Sequence, residues 1–315
     1  MTGLLLRRVA SLFLTLLAVS ALIFLVMDVL PGDPAAIMLG TSATPETLEA
    51  LRRQLGLDQP LVLRYLSWLG GVATGDLGMS YTYGVPVAGL IAERLAVTLP
   101  LAFIAILLSV AIAVPLGVAS AARRNGAVDY AAGLLSQMFI AVPGFWVGLL
   151  LVLVFSVSLG WVPSGGFPGW RAGIVPALGA LVLPAIALAL PQAGVLTRVT
   201  RSAVIEVMNE DFVRTARAKG LPRRTALWRH AVPNALVPVV TILGLQFTFL
   251  IAGAVLVENV FNLPGLGRLA LQALSQRDII VMQDVVLFFA ALVIVMNFLV
   301  DLSYLALDPR LRKRA

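Results

Sequence analysis

The chain has 315 residues, of which 60% are hydrophobic and only 12% charged. Soluble domains average about 25% charged and 45–50% apolar residues, so an ordinary water-soluble enzyme and a disordered polypeptide are both excluded, and lipid is indicated as the solvent. The formal net charge of +7 would suggest nucleic acid in a soluble protein, but its distribution along the chain points to a membrane and to no nucleic-acid partner. The absence of cysteine and the single histidine, His230, exclude disulfides, iron–sulfur clusters, thiolate zinc sites and multi-histidine metal or haem centres.

A spanning helix needs about 20 mostly apolar residues. The first such run, 9–30, follows Arg7-Arg8. It is long for a signal-peptide core and no A-x-A cleavage site follows, so it reads as a retained span. Residues 31–97 form a long extracytoplasmic segment with helices of its own. Thr44-Pro45-Glu46 opens one, with threonine as cap and proline at the first helical position, running through Leu48, Leu51, Arg52 and Leu55 to Gly56. A second is expected at 61–69. The two lie on the membrane surface or cap the outer mouth; a stabilising lid without substrate contact is the alternative.

Five further spans follow at 98–121, 130–159, 174–196, 235–257 and 285–306. The 130–159 run contains Pro143-Gly144, where a kink is expected, and 174–196 contains Pro176, Pro184 and Pro191. The expected fold is an all-α integral membrane protein of six transmembrane helices. Residues 1–30 hold the N-terminus and first span, 98–306 a five-helix core with a polar loop at 197–234, and 307–315 a tail. With the N-terminus inside, sixteen Lys and Arg residues fall in inside segments and seven outside, four of the seven in the long 31–97 segment. The positive-inside rule then places both termini in the cytoplasm.

Spans two to five carry no Asp, Glu, Lys or Arg in their cores, which argues against a proton-coupled pump or other ATP-independent carrier. Asp28, Asp129, Asp284 and Asp301 stand near span ends, where a neighbouring arginine is the expected partner. No P-loop is present, since Lys219 precedes Gly220 and Lys313 precedes Arg314. No catalytic set is visible either, so the chain is not expected to be an enzyme.

The 197–234 loop carries eight basic residues against Glu206, Glu210 and Asp211. Asn209 is expected to cap a helix of about ten residues, with Glu210 and Asp211 in its first turn, where carboxylates suit the helix dipole. Lys219 falls in its last turn, Gly220 stops it and Pro222 prevents continuation. A second short helix is expected from Pro222 through Leu227 and Trp228, ending at Pro233. Such a rigid pair can transmit force, with Phe212, Ala216, Leu227 and Trp228 as anchors for a partner. Apposition to anionic lipid headgroups is the alternative.

This loop resembles the coupling motif of ABC-importer permeases, E-A-A-x3-G-x9-I-x-L-P. Ala216, Gly220 and Pro233 fall at the motif spacing, while Arg214, Thr215, His230 and Val232 replace its glutamate, first alanine, isoleucine and leucine. The string R-T-A-R-A-K-G at 214–220, with R-H-x-x-x-N at 229–234, is similar to the dipeptide/oligopeptide/nickel branch. Leu30-Pro-Gly-Asp-Pro34, Gly75-Asp-Leu-Gly-Met-Ser80, Val257-Glu-Asn-Val-Phe261 with Pro264-Gly-Leu-Gly267, and Leu307-Asp-Pro-Arg310 agree with it.

The resemblance implies the type I importer permease fold and a bacterial inner-membrane location. The chain would be the first of two homologous permease subunits, working with two cytoplasmic ATPases, which hold the ATP and magnesium, and with an extracytoplasmic binding protein. Residues 210–220 would be the coupling helix, with Arg214, Thr215, Ala216, Arg217, Ala218, Lys219, Gly220 and Pro233 at the ATPase contact. Glu258, Pro264, Gly265 and Gly267 would stand near an outer gate or the binding protein. Peptides are the expected cargo, with nickel chelates, glutathione or opine-like compounds as alternatives, and no cofactor is expected in this chain itself.

Overall fold

The computed structural model describes residues 2–29 and 33–307. Positions 30–32 of the Leu30–Pro34 block and 308–315 of the tail lie outside the described residues. In chain order the helices are α1 (Thr2–Val29), α2 (Pro34–Leu39), α3 (Pro45–Gln54), α4 (Leu61–Thr74), α5 (Val87–Ala122), α6 (Ala127–Ala141), α7 (Gly144–Leu151), α8 (Ile174–Met208), α9 (Asp211–Ala218), α10 (Arg223–Ala226), α11 (Val232–Val260), α12 (Leu266–Gln276) and α13 (Ile279–Leu307). Wide π turns occupy Val152–Ser158 and Leu227–Ala231. Among the described residues no β-strand forms.

Five helical runs are long and apolar enough to cross a bilayer: Leu6–Val29, Val87–Ala122, Ile174–Met208, Arg223–Val260 and Ile279–Val300. The expected 130–159 span is two helices bent by 96°, and counts as a sixth crossing only if the pair is taken together. The break has a local cause. Pro143 has no N–H to continue α6, and it holds Val142 extended at ψ 123°. Elsewhere the helices overrun the apolar stretches. Helix α5 begins at Val87 instead of 98, α8 runs to Met208 instead of 196, and α13 starts at Ile279 instead of 285. Hydropathy measures the length that suits lipid; the helix itself continues into polar surroundings wherever its backbone bonds are met.

The chain divides into two compact units, with the boundary inside α5 and α13. One is drawn from the residues up to Val97 and from Gly265–Phe298; the other from Thr98–Pro264 and from Leu299 onward.

In the first unit, Leu77, Val87, Ile91, Leu266, Leu269, Ala273, Val281 and Val285 form a buried core. Thr44 caps α3 as expected, in a capping box with Thr47. Helix α4 is longer than the expected 61–69 and ends at Gly75, in the left-handed region at φ +83°. It is tied to its surroundings by polar contacts. The Ser20 and Tyr65 hydroxyls share a hydrogen bond of 2.9 Å, Arg64 meets Asp28 at 2.7 Å, and Trp68 Nε1 donates to Asp284 Oδ1 at 2.8 Å. Asp278, almost fully buried, accepts Ser80 Oγ at 2.5 Å and the Thr82 amide at 3.0 Å, which fixes the turn between the Gly75–Ser80 block and α5.

In the second unit α8 is the central helix, with α6, α7 and α11 against it. Two glycines set the spacing. A Cβ on Gly117 of α5 would stand 2.6 Å from Thr200 Cβ, and one on Gly194 of α8 would stand 2.7 Å from the Ser136 carbonyl. Small residues that admit close backbone approach are the usual means of joining helices in lipid, where no hydrophobic force distinguishes helix from solvent.

Candidate functional site

The elbow between α8 and α11 lies within the second unit. Asn209 does not cap α9. It ends α8, and its Nδ2 donates back to the Ile205 carbonyl at 2.9 Å. Glu210 takes the cap position with extended backbone and no side-chain bond, so α9 spans the eight residues Asp211–Ala218, about 12 Å. The reason is that α8 continues past 196, so that Asn209 is used at its end.

The stop is a Schellman motif. Gly220 N–H donates to the Arg217 carbonyl at 2.9 Å, and Leu221 N–H to that of Ala216 at 3.2 Å. Gly220 sits at φ +91° with open space where a Cβ would point. Glycine is therefore required by the backbone and not by crowding.

One face of α9 is anchored. Val213 is fully buried and Ala216 half-buried, while Phe212, Arg214, Thr215, Arg217, Ala218 and Lys219 face outward. Arg214 lies 3.6 Å from Asp211, both exposed, so that pair adds little. Beyond Pro222, α10 does not end at Pro233. It widens through Leu227–Ala231 and joins α11, with Pro233 in the first turn of that helix. Proline is tolerated there because the first-turn N–H groups have no intrahelical acceptor. Leu227, Ala231 and Val232 pack with Val118, Ala121, Ala203 and Val204. Trp228 stays 54% exposed and Phe212 47%, which leaves two aromatic side chains facing outward on a basic surface.

Behind the elbow lies a cluster that sequence reading identified only by half. Asp129, 8% exposed, follows the α5–α6 turn. Its Oδ1 accepts Ser120 Oγ at 2.5 Å and Arg201 Nε at 2.6 Å; its Oδ2 accepts Arg201 Nη2 at 2.8 Å and the Asn125 amide at 2.9 Å. The paired geometry is the strong, planar form of arginine–carboxylate contact. Arg198 adds a hydrogen bond to Gln137 one turn away. These bonds tie α5, α6 and α8 into one body at the end that carries α9. An arginine partner for Asp129 was expected; which arginine, 72 residues away, was not legible from spacing.

At the other end of α11, Glu258 is fully buried. Thr98 Oγ1 donates to its Oε1 at 2.6 Å, and its carbonyl accepts the Leu263 amide at 2.8 Å. Span limits drawn at 257 had left this carboxylate just outside the apolar run. Pro264 follows in the turn of the same unit. Gly265 caps α12 and Gly267, buried, stands in its first turn, so the expected turn leads directly into a helix. The Asp28 expectation holds through Arg64, whereas Asp284 has the indole of Trp68 in place of an arginine.

Comparison with known proteins adds to this geometry. Residues 113–313 match the family described as binding-protein-dependent transport system inner membrane component, and residues 1–102 match the corresponding N-terminal family. A putative peptide transport system permease protein of Brucella abortus is 45% identical over 99% of both chains. The glutathione transport system permease protein GsiC of Escherichia coli is 39% identical over 97% of both. Among solved structures, the inward-facing MetNI methionine ABC transporter superposes with a TM-score of 0.59 at 19% identity, over 70% of this chain and 96% of that one, a likeness of fold.

Proposed function

We infer the function from one premise: this chain belongs to the family of inner-membrane components of binding-protein-dependent transport systems. It is a permease subunit of an ABC importer, placed in the bacterial cytoplasmic membrane with both termini inside. Its working partners are a second homologous permease, two cytoplasmic ATPases and an extracytoplasmic binding protein. ATP and magnesium belong to the ATPases. The cargo is a di- or oligopeptide, supported by the peptide-permease relatives of similar length; glutathione, itself a peptide, is the second reading, supported by the GsiC likeness.

The observation that carries the mechanism is the elbow. A short helix is seated on one buried valine, stopped by a left-handed glycine, and backed by a clamp across three helices. Helix α9 docks on an ATPase through Arg214, Thr215, Ala216, Arg217, Ala218, Lys219 and Gly220, with Phe212 as an apolar anchor. Closure of the ATPases moves α9, and α8 with α11 carry the movement into the membrane. Pro233 keeps the return strand of the elbow joined to α11. Glu258 and the Pro264–Gly267 turn serve the outer end, where access is controlled.

The test is uptake of a labelled tripeptide and of labelled glutathione into proteoliposomes holding the whole assembly. ATP-dependent peptide uptake that requires the binding protein is the expected result. Transport by this chain alone, without nucleotide, would overturn the assignment.

A further inference from the structure

The first unit borders an open cavity of about 1220 Å³ that the elbow does not use. It exceeds the roughly 300–1,000 Å³ of an ordinary small-ligand site. Trp68 of α4, Ile280 of α13, and Leu48 and Leu55 of the α3 region are among its lining residues. Helix α3 buries none of its residues, although Leu48 faces this space. Arg52 of α3 meets Asp33 at 2.6 Å on the same lining.

The polar groups of the wall are unevenly matched. Five carboxylates line it against three guanidinium groups. Arg64, Arg52 and Arg53 are engaged by Asp28, Asp33 and Glu49. Asp58 and Asp76 have no ion-pair partner among the described residues; Asp76 only accepts the Gly78 amide, at 3.1 Å. Gln283, 8% exposed, also lines the cavity, and its Nε2 has no acceptor. A buried donor left without an acceptor is unfavourable; the Gln283 Nε2 is covered as the side chain stands, and a turn of the side chain toward the cavity would let it meet an acceptor there. Tyr81 stands on the same wall. Burial, reinforced by the Asp278 carboxylate, pushes its phenol up to about 12, and it remains a neutral donor.

We propose that this cavity is a receiving site for a short neutral or cationic peptide. The proposal rests on the reading of the protein as a peptide-importer permease. The peptide ammonium or a basic side chain faces Asp58 and Asp76. A carbonyl or carboxylate oxygen accepts from Gln283, and apolar side chains lie between Leu48 and Trp68. A phospholipid headgroup fits less well, because its phosphate would meet excess negative charge with every guanidinium already engaged. For the same reason the site disfavours acidic peptides.

The test uses the complete assembly in phosphatidylcholine nanodiscs and a photoreactive tripeptide, Lys-Ala-benzoylphenylalanine, with cross-links mapped by mass spectrometry. Labelling is expected within 48–57 or 279–283, competed by Lys-Ala-Ala and much less by Glu-Ala-Ala. Gln283→Leu and Asp76→Asn should each weaken labelling about tenfold, the scale of one charge-assisted hydrogen bond. Leu48→Trp, on a helix with no buried residue, should block the cavity without risk to folding. Labelling elsewhere only, labelling indifferent to all three substitutions, or displacement by phosphatidylethanolamine but not by Lys-Ala-Ala would overturn the proposal. If wild-type assemblies import peptide under ATP yet show no labelling here, this inference alone falls. If they import no peptide, the functional reading falls with it.

Discussion

The elbow end of the second unit and the open cavity of the first are built from similar materials, charged side chains beside apolar helices, to opposite effect. At the elbow, one carboxylate receives four hydrogen bonds from three side-chain and backbone partners, and the helices behind it touch at glycines. Around the cavity the ion pairs are partly exposed, and α3 has no residue in the core. Saturated polar contacts between close helices favour rigidity, whereas partly exposed pairs around open space add little to it.

Four substitutions break or sharpen that contrast, the largest effect first. Gly220→Val forces a β-branched residue to φ +91°. Such strain is worth about 1–3 kcal/mol, and if it displaces α9 from its ATPase, ATP-dependent uptake should fall about ten- to a hundredfold while the assembly still purifies. Normal uptake would remove the elbow from the mechanism. Arg201→Ala leaves Asp129 buried without its cation. Because Arg201 is itself 34% exposed, the loss should stop short of a fully buried pair, at about 2–4 kcal/mol, read as a lowered unfolding midpoint in nanodiscs. ATP hydrolysis should persist with reduced uptake if the clamp transmits force.

Gly117→Val should separate α5 from α8 and destabilise by about 1–3 kcal/mol, again seen by thermal unfolding. An unchanged midpoint would mean that the close approach carries no weight. Arg52→Ala, in contrast, removes one exposed pair and should cost less than about 1 kcal/mol. A loss as large as that of Arg201→Ala would erase the distinction between the two regions.

Much of this was legible in the sequence, and for local reasons. Thr44-Pro45 announces α3, Gly220 the end of α9, and Pro143-Gly144 the break in the third apolar run; each acts on its own backbone. What stayed hidden depends on distance along the chain. Nothing near Asp129 names Arg201, and nothing near Trp68 names Asp284. Two helix ends compete for Asn209, and α8 takes it because the helix runs to Met208, twelve residues past the apolar stretch that ends at 196. Glu258 was seen as a motif residue, but its full burial beside Thr98 could not be read from a span limit one residue short. Pro233 suits a first turn as well as a stop, and it stands in the first turn of α11.

The wide turn at Leu227–Ala231 has one more consequence. Because it joins α10 to α11 without a gap, Arg223–Val260 is a continuous 38-residue helical run, with a contour of about 57 Å, nearly twice the roughly 30 Å of hydrocarbon it crosses. On a rigid rod of that length each degree of rotation about the basic foot would carry the far end, where Glu258 sits, sideways by about 1 Å, so the docking proposed for α9 would need only a small rotation to shift that end by the width of a side chain.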